Sequence, residues 1–179
     1  VKPFWQLFID PGYSRSGRGC ALAMFYWDAL EAVWFERFSE QSPAKRCNVK
    51  LSVVQWEQPQ ADGRNADGDV LIRLASEGAS LAAAYAVVCG GRVESVTPHA
   101  WKGSKPKPVQ HAAVWRALTN QERECFAQPE NVAGAISKAV SKGALERWKR
   151  PGAAYYPRSF PEHNLLDAVA MGLVQLGRI

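Results

Sequence analysis

The sequence predicts a mixed α/β layer fold in one domain spanning residues 1–179, and three observations carry that prediction. Apolar runs of strand length crowd the first third of the chain, helical patterning dominates the remaining two thirds, and one short strand pattern returns between two helices. A chain of 179 residues with 47% hydrophobic content is long and apolar enough to bury a core of its own, which excludes a disordered segment.

Residues 4–9 form an apolar run that reads as a strand buried on both sides, closed by the turn pair Pro11-Gly12. Asp10 stands between run and turn, so its carboxylate is either a turn residue or a charge held at the mouth of a sheet. Gly17 and Gly19 restart an extended run over 20–27, and another comes over 33–38 after a break at 28–31; short links predict an antiparallel meander. The polar stretch 39–50 leads to the strand LSVVQW, which stops on Glu57 ahead of Pro59. A second apolar strand thus ends on an acid.

Beyond the loop GRNADGD, with Asn65 and Asp67 as candidate N-caps, residues 69–88 have helical composition and no proline. Ala75, Ala79, Ala82, Ala83 and Ala86, with Gly78, permit a close backbone approach, either to the sheet or to a second subunit. A short strand over 93–96 precedes TPHAWKGSKPKP, where Lys102, Lys105 and Lys107 are interleaved with glycine and proline and predict an exposed basic loop rather than helix. Helices are expected over 109–118 and 121–126, and more weakly over 129–150, which ends in the basic ERWKRPG. The last helix, about 162–176, starts after Pro161 and stops at Gly177. Leu165, Leu166, Val169, Leu173 and Leu176 form its apolar stripe, with Asp167 on the flank.

Twenty-two Lys and Arg against 17 Asp and Glu give a net charge of +5, which favours an anionic partner, nucleic acid first. Cys20, Cys47, Cys89 and Cys125 lie far apart with no C-x-x-C pair, so the expectation is free thiols in a reducing compartment. No signal-peptide pattern and no uninterrupted apolar run of spanning length occur, which predicts a soluble cytoplasmic protein with no membrane partner.

Asp10, Glu57 and Asp167 therefore sit at element ends or on a polar flank. Phosphoryl transfer with divalent metals needs such a set, because hard cations prefer oxygen ligands and a rigid strand holds a bridging carboxylate better than a loop. Each acid taken alone also has an ordinary reading as a turn, strand-end or helix-dipole residue. His163 and Asn164 precede Asp167 by four and three residues, about 40° and about 60° away on a helical wheel, so either can share a site with it. Imidazole is the better metal ligand or acid/base group, and N-capping is the ordinary role for Asn164.

FIDPGYSRSGRGCALAMF, VVQWEQP, LASEGASLAAAYAVV, VTPHAWKG and HNLLDAVAMGL resemble, in the same order, segments of RuvC-like Holliday junction resolvases, particularly the compact bacteriophage-type versions. The likeness runs over nearly the whole chain. It implies a ribonuclease H-like fold: a five-stranded mixed sheet with a three-strand antiparallel meander, flanked by helices. It also implies that Asp10 bridges two metals, that Glu57 is the acid ending the fourth strand, and that Asp167 is the second acid of a final-helix pair. The family commonly has Asp or His three residues before that last Asp; this chain has Asn164 there and His163 one position earlier, and His163 is the favoured fourth ligand.

The implied activity is a crossover junction endodeoxyribonuclease: two Mg²⁺ or Mn²⁺ ions per active site, hydrolysis of DNA phosphodiesters to 5′-phosphate products, and paired nicking of a four-way junction by a homodimer in a bacterial host cytoplasm. Arg15, Arg18, Lys102, Lys105, Lys107, Arg147, Lys149 and Arg150 are the candidate phosphate contacts, with Tyr13 and Trp148 placed to stack on unpaired bases. The alternatives are a ribonuclease H-like nuclease for RNA-DNA hybrids or flaps, and a non-catalytic branched-DNA-binding module. Sugar kinases and actin-like ATPases open on a similar acid and hairpin, but the chain is short for their two lobes and has no second Gly-rich phosphate segment.

Overall fold

The computed structural model of the chain describes residues 4–12, 19–37, 48–60, 68–103, 105–141, 156 and 160–179. Five strands, β1 (Trp5–Asp10), β2 (Cys20–Tyr26), β3 (Ala29–Glu36), β4 (Leu51–Glu57) and β5 (Arg92–Val96), form one sheet in the order β3-β2-β1-β4-β5. The first three pair antiparallel as a meander, and β4 and β5 add parallel to β1. Between and after them come α1 (Gly68–Cys89), α2 (Pro98–Lys102), α3 (Lys107–Ala117), α4 (Asn120–Arg123), α5 (Pro129–Val140) and α6 (Glu162–Gln175).

Alternation along the strands builds two cores. Leu7, Ile9, Leu22 and Val54 face α1, where they meet Leu81, Ala82 and Tyr85. Phe8, Ala21, Ala23 and Phe25 face the other way, onto α6 and the α3 and α5 helices behind it. The central strand β1 is covered on both faces, which is why it reads as a continuous apolar run.

α1 is long and apolar enough, by length and composition alone, to cross a membrane. Here it is a layer of the domain: Gly78, Leu81, Ala82, Tyr85 and Cys89 are buried. The close approach its small residues allow is made to the sheet, since a Cβ on Gly78 would lie 3.0 Å from Trp56 and 3.1 Å from Pro11. Ala83 faces outward.

Several boundaries differ from expectation for identifiable reasons. The β2–β3 link is only the turn Trp27–Asp28, with Trp27 at φ 56° and its N–H donating to Phe4 O at 2.9 Å, so β3 starts at Ala29 and takes in the expected break. The Gly/Pro-spaced basic segment is not one exposed loop: α2 opens on Pro98, and α3 opens on Lys107 with Pro108 in its first turn. A proline in the first turn gives up only an N–H that has no helical partner, so it starts a helix there rather than breaking one. Cys89 is disulfide-bonded, which corrects the expectation of four free thiols; Cys20 and Cys125 are free. Burial, aided by Asp10, pushes the Cys20 thiol up to about 12.

The C-terminal residues tie the helical layer to the meander. Arg178 donates to both carboxylate oxygens of Glu122, at 2.5 and 2.9 Å, and to the carbonyls of Asp28 and Ala117. Glu122 also accepts the N–H of Leu30 and closes a capping box with Thr119.

Candidate active site

Asp10 is the last residue of β1 and, like Phe8 two positions earlier, faces the α6 side; only 5% of it is exposed. Glu57 is the last residue of β4, the parallel neighbour, one step beyond the Ile9–Trp56 register pair. The two acids thus end adjacent strands at one edge of the sheet. α6 packs across β1, β2 and β3 and carries Asp167 in its second turn. Asp167 does not lie on an exposed flank, as the stripe implied. α6 is buried from Asn164 to Leu173 because α2 and α3 cover it on the side away from the sheet, and Asp167 is 5% exposed.

Burial pushes the Asp10 carboxyl well above the usual carboxylate range, and the charges of Glu57 and Asp167 push it further. Glu57 is also raised, by burial and by Asp167, against the opposing pull of Lys102 and a 2.7 Å hydrogen bond from Trp101 Nε1 to Glu57 Oε2. Asp167 goes the other way. Burial works against its charge, but Lys107 and His111 hold it well below the usual range.

Those two partners lie one turn apart on α3. Lys107 Nζ donates to Asp167 Oδ2, and His111 Nε2 lies 2.9 Å from Asp167 Oδ1. His111 is fully buried, and its Nδ1 lies 2.9 Å from the hydroxyl of Tyr156. An ionised Asp167 only accepts, so Nε2 carries the ring proton and Nδ1 takes the tyrosine hydroxyl hydrogen. Burial keeps this imidazole below its ordinary pKa and therefore neutral. The result is a hydrogen-bonded chain, Tyr156 to His111 to Asp167.

His163 stacks near-parallel on Tyr156, ring centroids 5.7 Å apart, and its Nδ1 lies 3.1 Å from Lys107 Nζ. Burial, then Lys107, lowers its pKa to about 4, so Nδ1 presents a lone pair to the ammonium. Asn164 is not the N-cap of α6, a position held by Pro161. Its buried amide sits against Gly12, where a Cβ would come within 2.6 Å, so the turn after Asp10 rests directly on the final helix.

The three expected acids and His163 thus share one neighbourhood. Among the expected phosphate contacts, Lys105 is exposed, Lys102 is partly buried with its ammonium 5.1 Å from the Trp101 ring, and Lys107 points into the acid cluster. Arg15, Arg18, Arg147, Lys149 and Arg150, with Tyr13 and Trp148, lie outside the described residues. His111, Tyr156 and Trp101 were not singled out from sequence. The legible signal was the i, i+4 spacing of Lys107 and His111, which puts both on one helix face once Pro108 is read as a helix start.

No protein-family model matches the sequence, and no curated protein matches it. Among solved structures, T. thermophilus RuvC in complex with Holliday junction substrate aligns over 98% of this chain and 97% of its own, at 16% identity and a TM-score of 0.39. A superposition that loose assigns no residue and no activity. The fold rests on the sheet itself: five strands in the order β3-β2-β1-β4-β5, an antiparallel meander with two parallel additions, and helices on both faces, the arrangement of a ribonuclease H-like domain.

Proposed function

We propose that this chain is a metal-dependent endonuclease that resolves four-way DNA junctions by paired symmetric nicking, a RuvC-like resolvase of the bacteriophage type. The observation that carries this reading is that Asp10, Glu57 and Asp167, from two adjacent strand ends and the buried final helix, lie within reach of one another's charge. A fold does not gather three acids, at least two of them almost wholly buried, for stability, because their mutual repulsion and desolvation both oppose it.

The donor chemistry suits Mg²⁺ or Mn²⁺: three carboxylates are hard oxygen ligands, and the neutral His163 adds one nitrogen. Among the described residues no three such side chains are drawn around one point as they would be around a bound ion, and the cluster already holds the Lys107 ammonium. Asp10, Glu57, Asp167 and His163 would hold two ions, which supply a polarised water and charge neutralisation at the phosphate. The protein's own groups do the positioning. β1 and β4 fix Asp10 and Glu57, Trp101 orients the Glu57 carboxylate, and His111 holds one oxygen of Asp167 so that the other faces the cluster.

Lys102 and Lys105 at the rim, with the basic residues Arg15, Arg18, Arg147, Lys149 and Arg150, supply phosphate contacts that set orientation without reading sequence. A four-way junction presents two symmetry-related scissile strands, so a two-fold dimer in a bacterial cytoplasm completes the reading. The test is incubation of the protein with labelled four-way junction, linear duplex and RNA-DNA hybrid in Mg²⁺ or Mn²⁺, alongside Asp10→Asn. Paired symmetric nicks in the junction, with 5′-phosphate ends and absent in the variant, are expected. Cleavage of the hybrid alone moves the reading to a ribonuclease, and tight junction binding without cleavage moves it to a binding module.

A further inference from the structure

Asp167 has two carboxylate oxygens, and both are engaged. Oδ1 faces His111, a fully buried imidazole held from behind by Tyr156. Oδ2 faces Lys107 Nζ, whose side chain is 26% exposed and leaves α3 at its first residue. Oδ2 is thus the oxygen that a side chain with access to solvent holds, and a cation that takes it must move Lys107. The same ammonium sits 3.1 Å from His163 Nδ1 and within the field of Asp10 and Glu57. Two of the lone pairs assigned to a metal already converge on one positively charged nitrogen.

We propose that Lys107 is an exchangeable counter-cation: its ammonium holds the metal position between Asp167 and His163 until a divalent ion displaces it, and displacement turns Nζ outward toward the substrate phosphate. This rests on the metal-dependent reading of the cluster. The exchange breaks and forms only ionic and hydrogen-bonded contacts, with the lysine protonated throughout. It is chemically economical because the cluster is never left uncompensated: three acids in a buried site carry either an ammonium or a divalent ion. Lys107 also has a way out, since a quarter of its side chain already reaches solvent while the neighbouring His111 has none. A cation that competes for the site lowers the apparent affinity of the metal by the fraction of time it occupies the place.

The experiment compares native protein with Lys107→Met, a side chain of similar reach without charge, and reads free Mn²⁺ by electron paramagnetic resonance together with thermal melting in EDTA and in Mn²⁺. The variant is expected to bind Mn²⁺ about tenfold or more tighter than native protein. It should also melt lower in EDTA and recover more on adding Mn²⁺. A second measurement needs no variant: the lysine ammonium resonance of native protein, held in EDTA by its ion pair with Asp167, should be lost as Mg²⁺ is added. Mn²⁺ affinity within twofold of native, or an ammonium signal that survives saturating Mg²⁺, overturns the exchange while leaving junction cleavage untouched. Absence of Mn²⁺ binding by both proteins, with no cleavage, overturns the metal-dependent reading and the exchange together.

Discussion

Asp10 and Asp167 are equally buried and belong to one cluster, yet their carboxyls are driven in opposite directions, because only Asp167 has Lys107 and His111 against it. The asymmetry makes their substitutions differ. Asp10→Asn keeps the shape and removes a charge that Glu57 and Asp167 repel, so it should raise the melting temperature by about 2–4 °C for each kcal/mol relieved and abolish cleavage. Calorimetry and a junction-nicking assay check this, and a variant that melts lower yet still cuts would sink it. His111→Ala does the reverse to its neighbours. It leaves Asp167 Oδ1 and the Tyr156 hydroxyl without their partner, a cost of about 1–3 kcal/mol for each buried group. It should also weaken Mn²⁺ binding roughly 10–100-fold, as loss of an outer-shell partner does. A melt unchanged from native would contradict the first part, and Mn²⁺ affinity equal to native the second. Asp10 and Glu57 were legible in the sequence because each interrupts an apolar strand with a charge. The pairing of Lys107 and His111 with Asp167 was not, because it joins residues far apart in the chain, 56 apart for His111.

The elements most legible from sequence were those whose hydrophobic period is simple: β1, β4 and α6 appear within a residue or two of expectation. α2 and the start of α3 were not, since glycine and proline between lysines read as breakers, whereas the position of each proline in a first turn makes it a starter. The burial of α6 on all sides was also hidden, because a stripe predicts one packed face and the covering helices are set by tertiary contacts. Two glycines on different helices test that packing with opposite signs. Glycine to alanine in a helix interior gains roughly 0.5–1 kcal/mol, and Gly134→Ala on α5, where a Cβ meets nothing within 4 Å, should raise the melting temperature. Gly172→Ala on α6 should lower it, because the new Cβ would fall 2.3 Å from the ring of the fully buried Phe25, and overpacking costs about 1–3 kcal/mol, more than the helix gains. Paired thermal melts decide the matter: equal signs would mean that α6 and β2 are not packed as described.

Across the whole molecule, the meander, the helical layer and the C-terminal residues meet at Glu122. Burial alone would push its carboxyl up, but Arg178 and the N–H groups of Leu30 and Thr119 bring it down from 4.5 to about 2. A folded-state pKa below the unfolded one stabilises fully above about 4.5 and loses that contribution as pH falls toward about 2. Glu122→Gln should therefore melt well below native protein at neutral pH, and the two curves should draw together as pH falls from about 4.5 toward about 2. A gap that stays constant across that range would show that the carboxylate charge is not what holds the elements together.

The distance in sequence between Asp10 and Asp167 has a temporal side. The strand acids emerge early in synthesis, and α6 closes the cluster only after 157 further residues, counting from 10 to 167. At about 5–20 residues per second, that is roughly 10–30 s during which a nascent chain holds part of its acid set and no complete centre. On the proposed nuclease reading, a chain built this way is inert until α6 has been made and docked, and ordering the acids along the chain would safeguard the nucleic acid around the ribosome that makes it.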